Sequence, residues 1–336
     1  MQIQSTRPNA LQLRKQPTAV APQEQAKAAV SDQGLDTAQI GEAQEPSVGE
    51  KLKSWFFHVD RNVPEGEKIK SSPYHKLTYG AVLGALAWSA VDVATDIAAG
   101  GSPLAIAGKV AMNGAALGAG YLAADVASGM MHHWADQYAD PNSKNPAVRK
   151  FAKQSQRHHF FPGKLGNYGP AYWAHPLSLV AWAPLVAGTA LGAPAPAMSA
   201  MIGLVAGTTH YGNFHNWSHM PDRKVPAVGK ALQKAGLAIG KREHGKHHGM
   251  PWNSDYCIVS GIMNKPLDAI EFWPKYEKMV HKLTGKEAEA WAQKDYRAYI
   301  DGEITREEYI GKMKEVRKDF RTNHKERIRE KWDIRG

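Results

Sequence analysis

Apolar residues gather into four long blocks in the middle of the chain, with polar and basic sequence on either side. The first, LTYGAVLGALAWSAVDVATDIAA at residues 77 to 99, is mostly apolar over 23 residues. At about 1.5 Å per helical residue it can cross a hydrocarbon layer about 30 Å thick. Asp92 and Asp96 lie toward its end, where they can face a bundle interior or an interface. After GGSP comes a second block, in which Lys109 can snorkel and the span proper runs from 110 to 131. Residues 176 to 209 supply two more, interrupted by Pro184, Pro194 and Pro196, so spans at 176 to 193 and 196 to 209 are predicted with a bend between them. The pattern predicts an all-α integral membrane fold, with about four transmembrane helices and a helical cap on the cytoplasmic face. A buried helical core is the soluble alternative.

The flanks complete the organisation. Residues 1–48 are rich in Gln, Ala, Pro and Ser, too polar to offset the entropy of ordering, and a disordered tail is expected there. Arg7, Arg14 and Lys15 precede the first acid, Glu24, as in a transit peptide, but no secretory apolar region is present. Residues 49–285 form the expected membrane domain, and 286–336 a basic helical tail. Lys51, Lys53, Arg61, Lys68, Lys70 and Lys76 before the first span, and the basic segment after Lys241, place both termini on the cytoplasmic side.

The net charge of +10 suits an anionic partner, either nucleic acid or a membrane surface. The apolar blocks choose the membrane, so no nucleic-acid partner is expected. Cys257 is the single cysteine, which excludes an internal disulfide and any thiolate cluster. A metal here must be held by nitrogen and oxygen, and of 15 histidines 11 fall between His132 and His248. His132 and Asp136 stand four apart at the end of the second span, and His215 and His219 repeat that spacing after the fourth, each pair on one helical face. His158 and His159 precede Pro162 and Gly163 at an expected helix end, and His244, His247 and His248 share a face in GKREHGKHHG. The predicted topology gathers these residues on one side of the membrane. Eight imidazoles exceed what one tetrahedral ion takes, so two metals fit the supply, with Fe, Zn, Cu and Ni all compatible with imidazole.

The segments ADVASGMMHHWAD, HH before a short turn, HNWSH, and HGKHHGMPWNSDYCIVSGIMNKPLD resemble the membrane lipid desaturase family of the Kua, or plasmanylethanolamine desaturase, type. The likeness covers about residues 77 to 285. In motif it is nearer to the plastid branch that desaturates palmitate in phosphatidylglycerol. The resemblance implies metal ligands at His132, His158, His159, His215, His219, His244, His247 and His248, with Asp136 as a further acid and His175 where the plastid branch has a histidine. Tyr168 and Trp252 stand where the plasmanylethanolamine branch has histidines.

The resemblance further implies two iron ions, O2, and a double bond introduced into the acyl chain of a membrane glycerophospholipid. The vinyl ether bond of plasmanylethanolamine desaturation is the alternative, and a membrane zinc hydrolase using the same imidazoles is the alternative from another class. The chain carries no haem-attachment or dinucleotide motif, so electrons are expected from a partner such as cytochrome b5 or a ferredoxin.

Overall fold

A cap residue followed by proline opens four of the helices, which sets their starts in the sequence itself. Ser72 and Ser102 precede Pro73 and Pro103, and their hydroxyls accept from the backbone N–H of His75 and Ala105. Asn145 caps the helix beginning at Pro146, and Gly169 precedes Pro170. Proline at the first helical position gives up only a donor that has no partner in the helix.

The structure is a computed structural model that describes residues 47–58, 68–249 and 251–334. The disordered tail expected over 1–48 lies outside the described residues up to residue 46. The helices are α1 (Val48–Phe57), α2 (Pro73–Ala98), α3 (Pro103–Gln137), α4 (Pro146–Phe160), α5 (Pro170–Ala190), α6 (Ala195–His219), α7 (Ala227–Lys234), α8 (Lys241–Gly249), α9 (Asn264–Ala269) and α10 (Phe272–Thr284). Then come α11 (Lys294–Asp301), α12 (Arg306–Gly311), α13 (Met313–Asp319) and α14 (Lys325–Lys331), with a π-helical turn, Phe320–His324, between the last two. Among the described residues the one extended pairing is a single bridge between Ile69 and Tyr168, so the fold is all-helical as the pattern predicts.

The long helices coincide with the four apolar blocks, with altered bounds. The second block is the centre of a 35-residue helix, and α5 starts at Pro170 and runs through Pro176 and Pro184 without breaking. α3 packs chiefly on α6, and α2 on α5. Glycine makes the first contact close: a Cβ on Gly120 would sit 1.9 Å from the Ala200 carbonyl oxygen, and one on Gly203 2.1 Å from that of Leu117. Gly114 and Gly118 have nothing within 4 Å. Buried polar ties cross the bundle, Ser199 donating to Asn113 at 2.7 Å and Ser89 meeting Thr189 at 2.8 Å. Among the described residues one helix, α2, is long and apolar enough to cross a membrane by length and composition alone.

The C-terminal segment packs through residues four apart. Val316, Phe320, His324, Ile328 and Trp332 are all buried, and the last of them join a cluster with Ala139, Ala152 and Trp252. This stripe holds α13 and α14 against the ends of α3 and α4, where the histidines lie.

Candidate metal centre

Four helix ends supply the site. α3 ends in His132 and Asp136, α4 in His158 and His159, α6 in His215 and His219, and α8 carries His244, His247 and His248. Their ligand atoms form two groups, each with all atoms within 4.8 Å of one another: His132, Asp136, His159 and His247 in one, and His158, His215, His219, His244 and His248 in the other. Each sequence-adjacent pair is split, His158 from His159 and His247 from His248, so α4 and α8 each serve both groups. Rings of the two groups touch, with His132 and His215 centred 5.3 Å apart.

In the first group the Nε2 atoms of His132, His159 and His247 lie 3.2, 3.1 and 3.2 Å from Asp136 Oδ2. Yet none of these four buried atoms has a hydrogen-bond partner. Their lone pairs converge on a point between them. Separations of this size are the edges of a coordination shell with bonds of about 2.0–2.2 Å. In the second group the Nε2 atoms of His215, His219 and His244 lie 2.9–3.1 Å from one another, and His248 Nε2 lies 2.9 Å from that of His244. A triangle of ring nitrogens cannot be closed by linear hydrogen bonds, whereas a cation at its centre satisfies all of them.

The opposite ring nitrogens fix the tautomers. His132 Nδ1 lies 3.1 Å from the Tyr256 carbonyl and His247 Nδ1 2.8 Å from that of Ser254, while His158 Nδ1 donates to the Ser155 carbonyl. A carbonyl only accepts, so Nδ1 carries the proton and Nε2 offers its lone pair inward. Burial pushes His132 down to about 3, His158 to about 4 and His219 to about 2, and holds His159, His215, His244 and His248 well below the usual imidazole range. These imidazoles are neutral and ready to bind metal. Asp136 is itself buried, with Oδ2 turned toward these imidazoles. Ser155 donates to its other oxygen at 2.9 Å. A buried anion among neutral imidazoles calls for a cation, so the donor set fits two nitrogen-rich metal sites.

His175 is not brought into either group. It lies beside His75 and Tyr74, with ring centres 4.5 and 4.7 Å away. His210 also stands apart, its Nε2 3.0 Å from the Tyr79 hydroxyl. His133 points to the other side of α3, where Glu277 takes it at 3.0 Å and also accepts from Trp291 and Tyr296. The sequence reading missed Glu277, a lone acid in a basic helix; its one signal was spacing four residues from Trp273, whose ring stacks on His133.

A cavity of about 870 Å³ adjoins the site, and His132, His158 and His215 form part of its wall. Met131, Phe151, Leu165 and Trp173 make it largely apolar.

A family model described as the lipid desaturase domain matches residues 121–291. Fatty acid desaturase 4, chloroplastic, of Arabidopsis thaliana is 31% identical over 177 residues, 52% of this chain and 54% of its own length. The plasmanylethanolamine desaturase of Myxococcus xanthus is 33% identical over 175 residues, 49% of this chain and 59% of its own, and plasmanylethanolamine desaturase 1 of Mus musculus 28% over 207 residues, 57% and 72%. The chain thus spans little more than half the length of the Arabidopsis relative. No solved structure matches it. The family match covers half of the chain and takes in every residue of both histidine-rich groups, so the chain belongs to the lipid desaturase domain family.

Proposed function

We propose that the chain is an O2-dependent desaturase that uses two irons to introduce a double bond into the acyl chain of a membrane glycerophospholipid. The observation that carries this reading is the cavity, whose wall takes His132 from one group and His158 and His215 from the other. A lipid tail lying there passes both groups. Its volume is that of a site for one small ligand or chain segment.

When bound, the two irons supply O2 activation and hydrogen abstraction that no side chain can perform. The chain's own residues do the rest. Methylenes offer no hydrogen bonds, so Met131, Phe151, Leu165 and Trp173 position the tail by shape and keep water away. The carbonyls of Tyr256 and Ser254 hold His132 and His247 in the tautomer that faces inward. In the balanced reaction the tail loses two hydrogens and O2 becomes two waters, with two electrons and two protons supplied from outside. No redox motif lies in the sequence, so an external carrier of the cytochrome b5 or ferredoxin kind provides them.

The same reading has α2, α3, α5 and α6 crossing the membrane, with the metal groups and both termini on the cytoplasmic side. Only 22% of the most apolar stretch of α2 is buried, unlike the core helix of a soluble protein. Trp88 and Val91 on α2, Val110 and Leu117 on α3, Val180 and Trp182 on α5, and Leu204 on α6 are also exposed. An apolar belt over four helices needs lipid to cover it. The acyl substrate is favoured over the alkyl ether because an indole fills the place of one imidazole: Trp252 lies on His159 with ring centres 4.0 Å apart.

The test is lipid analysis of a host expressing the chain beside a His247→Ala, His248→Ala variant, with metal analysis of both proteins. New unsaturated phospholipids and iron are expected with the wild-type chain alone. The same lipids in both, or stoichiometric zinc with product formed without O2, would sink the proposal.

A further inference from the structure

The C-terminal helices place a basic stripe directly over an aromatic contact to the metal-binding groups. Arg321, Lys325 and Arg329 are four residues apart along the C-terminal helices. Arg321 and Arg329 are exposed, and Arg329 pairs only loosely with Glu326, at 3.8 Å. Lys325 sits over the half-buried Phe160 ring, 5.1 Å from its centre. Phe160 meets Trp252 edge-on at 5.7 Å, and Trp252 lies on His159 at 4.0 Å.

Trp252 is held there against its own backbone preference. Its φ is 56°, a region bulky residues rarely adopt, and it is buried. Gln137 donates to its carbonyl at 2.8 Å, the Tyr256 hydroxyl donates to the same oxygen, and Phe320, turned inward by the π-helical turn, packs on the ring at 4.9 Å. Strain maintained by this many contacts marks a functional position, and π-helical turns concentrate at such positions.

We propose that an acidic one-electron carrier protein docks on the Arg321, Lys325 and Arg329 face and passes electrons to the metal centre over the Phe160, Trp252 and His159 contacts. This rests on the desaturase reading, which requires two electrons per double bond; each transfer oxidises one carrier and reduces the centre by one electron. Charge complementarity selects an acidic occupant, and the aromatic contact beneath the stripe selects a redox protein over a lipid surface. Trp252 acts through His159 and is a positioning residue.

The probes are two soluble acidic carriers, plant-type ferredoxin and the haem domain of cytochrome b5, added to the full-length chain in detergent. Arg321→Glu with Lys325→Glu is expected to weaken binding of at least one of them about tenfold, in both metal-free and iron-loaded protein, and to remove most of its salt dependence. Trp252→Leu is expected to bind the carrier normally and to be reduced by it at least tenfold more slowly, with dithionite reduction unchanged and Trp252→Phe recovering most of the rate. Unchanged binding in the charge variant, no salt-dependent binding of either carrier, or displacement of both by anionic vesicles overturns the docking face. Reduction by the carrier at the wild-type rate in Trp252→Leu overturns the route. A chain that binds the carrier through this face and forms no double bond refutes the desaturase reading and leaves the docking face standing.

Discussion

The Asp125 carboxylate holds Ser260 twice, accepting from its backbone N–H at 2.9 Å and from its hydroxyl at 3.1 Å. The same carboxylate takes the N–H groups of Val259, Gly261 and Met263 at 3.0–3.1 Å. One turn on, Ser128 accepts from Ile258 N–H at 3.0 Å. The loop that follows the last histidines is thereby fastened to the helix that carries the first, and its Tyr256 carbonyl orients His132. Asp125→Asn replaces one accepting oxygen with a donor that faces N–H groups. It is expected to cost about 2–4 kcal/mol and to lower metal content, checked by thermal unfolding and by metal analysis of the purified protein.

Gly120 and Gly114, six residues apart on α3, should respond in opposite ways to the same substitution. Gly120→Ala puts a carbon 1.9 Å from the Ala200 carbonyl oxygen and forces α3 and α6 apart, at a cost of about 1–3 kcal/mol. Gly114→Ala meets nothing within 4 Å and gains about 0.5–1 kcal/mol from helix propensity. Melting midpoints of the two variants in one detergent decide the matter; equal midpoints would contradict the close approach.

The two metal-binding groups predict divided losses. His219→Ala removes a ring from the second group alone and His132→Ala one from the first alone. Each is expected to lower bound metal from two ions toward one per chain, with the double variant toward none. Asp136→Asn is expected to weaken the first site most, since it removes the one buried anion there. Metal content after dialysis against a mild chelator checks this, and complete loss of both ions in every single variant would show that the groups do not bind separately.

The two histidine-rich groups were legible in the sequence where their members share a helix. His132 with Asp136, His215 with His219, and the triplet on α8 follow from a spacing of three or four. What the spacing could not show is how HH pairs divide. Adjacent residues point about 100° apart on a helix, so His158 and His159 face different groups, and only the placement of α4 against α3 and α6 decides which. His175 lies outside both groups because α5 starts at Pro170 and its first turns carry His175 to His75, on the wall of the adjoining cavity. Glu277 lies 144 residues from His133 in sequence, a pairing no local pattern encodes. The basic C-terminal segment reads as a helical tail in sequence; that its buried Phe320, Ile328 and Trp332 meet Ala139 and Ala152 is set by long-range packing that no local pattern encodes.

Glu289 predicts how acid loosens that segment. It accepts from Arg327 and Lys331, each at 2.6 Å. Burial alone would raise its carboxyl, but Lys331 and Arg327 hold it below the ordinary value of 4.5. A carboxyl with a lowered folded value gives stability that is fully present above its unfolded value and disappears as pH falls through the folded one. The contribution of these ion pairs to the docking of α14 should therefore be constant from neutral pH down to about 5 and weaken below 4.5, by about 1 kcal/mol given that both cations are about half exposed. The buried His324, which burial pushes down to about 4, adds its own loss as pH falls below the usual imidazole value. Glu289→Gln should start from the weakened level and lose this part of the pH dependence. Hydrogen exchange of the α14 amides between pH 6 and 3.5, corrected for the intrinsic rate, measures it. Parallel acid profiles in the two proteins would show that these ion pairs do not fasten the segment.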